Sequence, residues 1–147
     1  MTVEEFWQHF KATHPEVTTD HYDAYGMGST DAFADQLALL IKRGQKTATT
    51  SAKDLYTPEE AFPFVGEYNV ILDGSNHPVC VTQTKVVETI PFDQVSAEHA
   101  YHEGEGDRTL AYWRDVHRKV FSSFYQQCHR EFNEQIPCLC EVFERVD

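Results

Sequence analysis

The feature that most constrains this chain is a pair of β-prone runs joined by a tight turn. Tyr68-Asn69-Val70-Ile71-Leu72 is followed by Asp73-Gly74-Ser75-Asn76, and then by Val79-Cys80-Val81-Thr82-Gln83-Thr84-Lys85-Val86-Val87. β-Branched residues on both sides of an Asp-Gly turn predict an antiparallel hairpin. A hairpin of that apolarity must bury its faces against further strands or helices. The rest of the chain supplies them. Thr2-x-x-Glu5 reads as a capping box, and Val3, Phe6, Trp7 and Phe10 recur at helical spacing, predicting a helix over residues 3–13 that His14-Pro15 ends. Residues 16–28 show no period and read as a loop.

A second helix is predicted after a cap at Ser29 or Thr30, with Phe33, Leu37, Leu40 and Ile41 as its apolar stripe and Gly44 as its left-handed stop. Ser51 to Pro63 reads as loop. Beyond the hairpin, Ser96 caps a short helix carrying His99, His102 and Glu103. Gly104-Glu105-Gly106-Asp107 breaks the chain, and a long helix follows from Asp107. Its stripe is Leu110, Trp113, Val116, His117, Val120, Phe121, Phe124 and Cys128. A last strand spans Cys138 to Phe143 after Pro137. Helices flank strands without βαβ alternation, which predicts one α+β domain over residues 1–147 with an antiparallel or mixed sheet.

Composition sets limits on partners. Twelve Lys and Arg stand against 24 Asp and Glu, a formal charge of −12. Tracking a long polyanion takes clustered cations, so DNA is not an expected partner, whereas a compact nucleoside or nucleotide needs only a few local ones. No apolar run approaches the ~20 residues of a membrane span, and Met1–Phe6 lacks a signal-peptide pattern, so a cytoplasmic protein without membrane contact is expected. Four cysteines occur without C-x-x-C spacing; Cys138 and Cys140 share one strand face and are expected as buried thiols. His99-x-x-His102-Glu103 lacks a third ligand at metal-binding spacing, and no Gly-rich phosphate loop is present, so neither metal nor cofactor is expected.

Chemistry concentrates in Gly44-Gln45-Lys46-Thr47-Ala48-Thr49-Thr50-Ser51, where a helix-to-strand corner offers one cation and several hydroxyls. An ordinary polar loop is the competing reading. The corner is similar to the G-x-K-T corner of the ASCH domain, a small β-barrel of the PUA-like superfamily. Val65-Gly66-Glu67, the hairpin with Pro78-Val79-Cys80, Phe92, Glu103-Gly104-Glu105-Gly106-Asp107-Arg108-Thr109-Leu110 and Tyr112-Trp113-Arg114-Asp115-Val116-His117 extend the resemblance over most of residues 22–146. It implies a PUA-like barrel of mixed or antiparallel strands with a cleft at its mouth, facing the helices. It also implies an RNA- or nucleoside-related role, the helix at residues 3–13 being extra.

Small members of the wider family resemble amidohydrolases that remove the acyl group of N4-acylated cytidine; others resemble ribonucleases. The amidohydrolase pattern assigns Lys46 as base, Thr49 as nucleophile and Glu103 as partnering carboxylate. Thr47, Arg108, Trp113, Arg114 and His117 are candidates for holding the substrate. Arg114 and His117, three apart on a helix, are expected to share a face. Lys46 and Thr49 can cooperate only if Lys46 precedes the strand, because three steps along a strand reverse the side-chain direction. The alternatives are an RNA-binding module with a basic stripe of Lys42, Arg43, Lys46, Arg108, Arg114 and Arg118, and a ribonuclease using Lys46 with Ser122 or Ser123. The inserted Gly104–Arg108 segment can reshape the pocket relative to the small amidohydrolases.

Overall fold

The computed structural model describes residues 1–147. Helix α1 (Val3–Thr13) opens on the predicted reciprocal cap of Thr2 and Glu5. The stretch read as loop contains a short strand, β1 (Asp23–Tyr25), that pairs in parallel with β3 (Tyr68–Leu72). Three residues give no periodic signal, and β1 owes its conformation to hydrogen bonds with a partner over 40 residues away. Helix α2 (Asp31–Lys42) is capped by Thr30, and Gly44 then takes a φ of +78°. Strand β2 (Ala48–Ala52) follows, so Ser51 and Ala52 lie in a strand, with a 3-10 turn over Lys53–Leu55 next.

The predicted antiparallel hairpin forms, with a register shift between Ile71 and Leu72, and its second strand, β4 (Pro78–Pro91), extends past Val87 with a bulge between Thr84 and Val86. Helix α3 (Ala97–Glu103) is capped by Ser96. Helix α4 (Leu110–Gln127) begins three residues later than expected, because Thr109 takes the cap and Asp107 instead accepts hydrogen bonds from Thr109. Strand β5 (Pro137–Arg145) closes the chain.

The five strands form one mixed sheet in the order β1-β3-β4-β5-β2, curled as a half-barrel with β1 and β2 as its free edges. Strand alternation divides the core. Ile71, Cys80 and Phe143 pack under α2 with Leu37 and Ile41. Val70, Leu72 and Val81 point the other way, onto Trp7 and Phe10 of α1. Cys138 and Cys140 pack with Trp113, Phe121 and Tyr125 of α4. The expected α4 stripe leaves that core near its end: Cys128 is exposed at the helix end, and Phe124 is 40% exposed while Tyr125 is buried. Burying one helical face near α4's end leaves Tyr125 inward and Phe124, one residue back, turned by ~100°. Cys80, Cys138 and Cys140 are free and buried.

Candidate functional site

The corner after α2 is fixed by hydrogen bonds to backbone carbonyls of the segment that follows it in space. The Thr47 N–H donates to the His102 carbonyl at 2.7 Å, and the Gln45 side-chain Nε2 donates to the Gly104 carbonyl at 2.7 Å. These bonds dock the corner on the end of α3. Gly104 makes the approach possible. Its φ is +74°, and a Cβ there would lie 2.5 Å from the Gln45 carbonyl oxygen. Gly106 has a φ of +58°, and a Cβ there would meet the Tyr112 ring at 2.3 Å. Gly104 is thus the steric requirement for the close approach of the Lys46 corner to the end of α3.

Lys46 sits just before β2, as cooperation with Thr49 requires, and is 1% exposed. Its ammonium lies 2.8 Å from Glu105 Oε2, 2.9 Å from the Ala48 carbonyl, 3.3 Å from the Glu103 carbonyl and 3.4 Å from Glu103 Oε1. A buried charge is tolerable only when paired and hydrogen-bonded in this way. Glu103, 2% exposed, is the hub. Its Oε2 accepts from the Thr50 hydroxyl at 2.7 Å and from the Trp113 indole N–H, and lies 3.3 Å from His99 Nε2. Its Oε1 lies 3.7 Å from His117 Nε2. Burial alone would push the Glu103 carboxyl up. The Lys46 ammonium, then His99, His117 and Thr50, outweigh it and hold that carboxyl well below the usual range. Thr50 Oγ1 is also 2.8 Å from His99 Nε2, so one hydroxyl links imidazole and carboxylate.

This network forms one wall of a cavity of about 300 Å³. Lys46, Thr49, Thr50, Glu103, Glu105 and His117 supply the polar part. Phe33, Leu37, Val116, Val120, Phe121 and Phe124 supply an apolar part. A concave site with a few convergent polar groups on an apolar lining is the usual form of a small-ligand site.

The sequence candidates are distributed unevenly around it. Lys46 and Glu103 are in contact. Thr49 lines the same cavity, but strand alternation turns it to the face opposite Thr50, and Thr50 is the threonine that touches Glu103. His117 lines the cavity, stacked on Trp113 with ring centroids 4.2 Å apart. Trp113 is a buried core residue that meets the site through its indole N–H and through the ring face under His117. Thr47 acts mainly through its backbone. Arg108 lies over the Tyr101 ring and donates to the Tyr101 carbonyl, and Arg114 donates to the Asp93 carbonyl. Neither arginine lines the cavity, so the shared face expected for Arg114 and His117 is not used for one purpose. Glu105 and His99 are the participants the sequence did not assign to this site, and Thr50 is one of the corner's hydroxyls that it left as an alternative to Thr49. The Glu-Gly-Glu-Gly spacing was a usable signal for Glu105.

A family model for the ASCH domain matches residues 23–147. The chain belongs to the ASCH domain family. A protein from Enterococcus faecalis V583 is 34% identical over 99% of this chain and 93% of its own, with a TM-score of 0.88. An ASCH domain from Lactobacillus crispatus JV V101 is 27% identical over 98% and 95%, with a TM-score of 0.86. No curated protein matches the chain. The alignments with these two structures extend over nearly all of this chain, whereas the ASCH family model begins at Asp23 in β1, after α1. The ASCH fold here is PUA-like and α+β.

Proposed function

We propose that this ASCH protein is a hydrolase of a small N-acylated nucleoside, cleaving an amide of the N4-acylcytidine type beside Lys46. The observation that carries the reading is the buried Lys46–Glu103 pair in the wall of a cavity that Thr49 also lines. Amide cleavage needs a nucleophile, a proton acceptor and a donor for the departing nitrogen. Thr49 lines the cavity and its hydroxyl is not committed to another side chain, which suits a nucleophile. Thr50 is committed to Glu103 and His99 and acts as a positioning group.

Lys46 enters as an ammonium. To accept the Thr49 proton it first passes one to Glu105 Oε2, the nearest acceptor at 2.8 Å. The neutral amine then takes the hydroxyl proton as the Thr49 oxygen bonds to the acyl carbon. The re-formed ammonium returns that proton to the leaving nitrogen as the C–N bond breaks, giving an acyl-threonine and a free amine. Water then attacks the ester carbonyl, giving up its proton to the Thr49 oxygen as the acid leaves, and Glu105 returns its proton to the Lys46 amine to restore the starting pair.

Polymer binding is the weaker reading. Four cations of the expected basic stripe are engaged internally: Lys46 with Glu103 and Glu105, Arg108 on Tyr101, Arg114 on Asp93 and Arg118 with Glu134. Ser122 and Ser123 are exposed and outside the cavity, which removes support from the ribonuclease reading. The test is hydrolysis of N4-acetylcytidine by the wild type, Lys46→Ala, Glu103→Gln and Thr49→Ala, with circular dichroism on each. Turnover lost in folded variants supports the reading. A folded wild type with no turnover sinks this substrate.

A further inference from the structure

The half-barrel leaves a seam between its free edges. Asp23 and Tyr25 of β1 and Thr49 and Ser51 of β2 face a second cavity, of about 480 Å³, across it. Its walls carry four carboxylates, Asp23, Glu60, Glu67 and Glu141, and three tyrosines, and neither Lys nor Arg. His21 is the one basic residue on the wall, 3.9 Å from Glu67.

An acidic cluster alone would signify little, but Glu141 adds a separate observation. It is 7% exposed, lines the cavity and has no hydrogen bond or ion pair to its carboxylate. Register places it opposite Thr49, on the sheet face that carries Phe143 and the core under α2. Burying an unpartnered carboxylate costs stability, and folding alone gives no reason to hold it there. A cation fits the other walls as well. The negative field rejects phosphate, and the tyrosine faces offer cation–π contact.

We propose that the seam cavity binds a small organic cation, a protonated aliphatic amine or a guanidinium. Glu141 supplies the charge-assisted acceptor, and Tyr25 and Tyr56 the aromatic faces. The assignment is independent of the bond cleaved beside Lys46. Because Thr49 lines both cavities, one ligand can span them, with its cationic end in the seam.

The test is an NMR titration of the full chain with agmatine and with n-butylammonium, using n-butanol as the uncharged control. Saturable shifts of the Tyr25, Ser51 and Glu141 amides are expected with the cations and not with the alcohol. Glu141→Gln is expected to weaken binding by roughly tenfold or more, as loss of a charged acceptor does. Glu131→Gln, which removes an exposed charge outside the cavity, should leave affinity unchanged. Glu67→Gln provides a second variant within the seam if Glu141→Gln fails to fold. Non-saturable shifts spread over the acidic surface, equal response to n-butanol, or wild-type affinity in both seam variants would overturn the assignment. Failure of amide hydrolysis would leave it standing.

Discussion

Glu141→Gln should stabilise the free protein at alkaline pH and do almost nothing in acid. The Glu141 carboxyl is pushed up from 4.5 to about 7, first by burial and then by the charge of Glu67. The other titratable groups facing the seam are His21, Tyr22, Asp23, Tyr25, Tyr56 and Glu60. The sign follows from proton binding. Between pH 4.5 and 7 the folded state holds a proton on Glu141 that the unfolded chain has released, so this group's contribution to stability falls as pH rises through that window. A rise from 4.5 to about 7, at about 1.4 kcal/mol per pH unit, sets a ceiling of about 3.5 kcal/mol on the penalty fully expressed above pH 7.

Gln is nearly isosteric with the protonated acid and never ionises. The variant should therefore melt at most roughly 7–14 °C above the wild type at pH 8 for a domain of this size. The two should nearly coincide at pH 4, below both values of the carboxyl. Differential scanning calorimetry at matched ionic strength measures both. A gain of equal size at both pH values, or a lower melting temperature for the variant at pH 8, would refute the claim that an ionised, unpartnered carboxylate is buried in the seam.

Other consequences follow from the Lys46 network. Lys46→Met should cost about 3–5 kcal/mol in urea unfolding, because Glu103 would remain buried without its cation. Trp113→Phe keeps most of the packing but removes the indole donor to Glu103; a loss of about 1–3 kcal/mol is expected. Glu103 is held below its unfolded value, so its contribution is present above pH 4.5 and lost as pH falls below it. Glu103→Gln should therefore flatten the acid limb of the stability curve. Gly104→Ala should cost roughly 2–4 kcal/mol, from the left-handed backbone and the clash with Gln45, and should disturb the Lys46 amide resonance before global unfolding.

What the sequence determined by itself were the elements with local causes. Thr2 and Glu5 cap α1, Thr30 starts α2, Gly44 stops it, and Asp73-Gly74 turns the β3–β4 hairpin. Each depends on residues within a few positions of one another, so the order of residues is enough. The corner carrying Lys46 was visible for the same reason, and its pairing with Glu103 was named only through family resemblance. Tertiary structure decided the rest. β1 exists because β3 offers it a parallel partner. Glu105 reaches Lys46 because Gly104 lets two segments nearly 60 residues apart touch. Arg114, three residues before His117, turns instead to the Asp93 carbonyl. Glu141, an unremarked acidic residue in a strand, becomes a buried, unpartnered carboxylate where the half-barrel folds it into the wall of the cavity between β1 and β2. Charge, burial and partner are properties of a place in space, and helix caps and turns are properties of a stretch of chain.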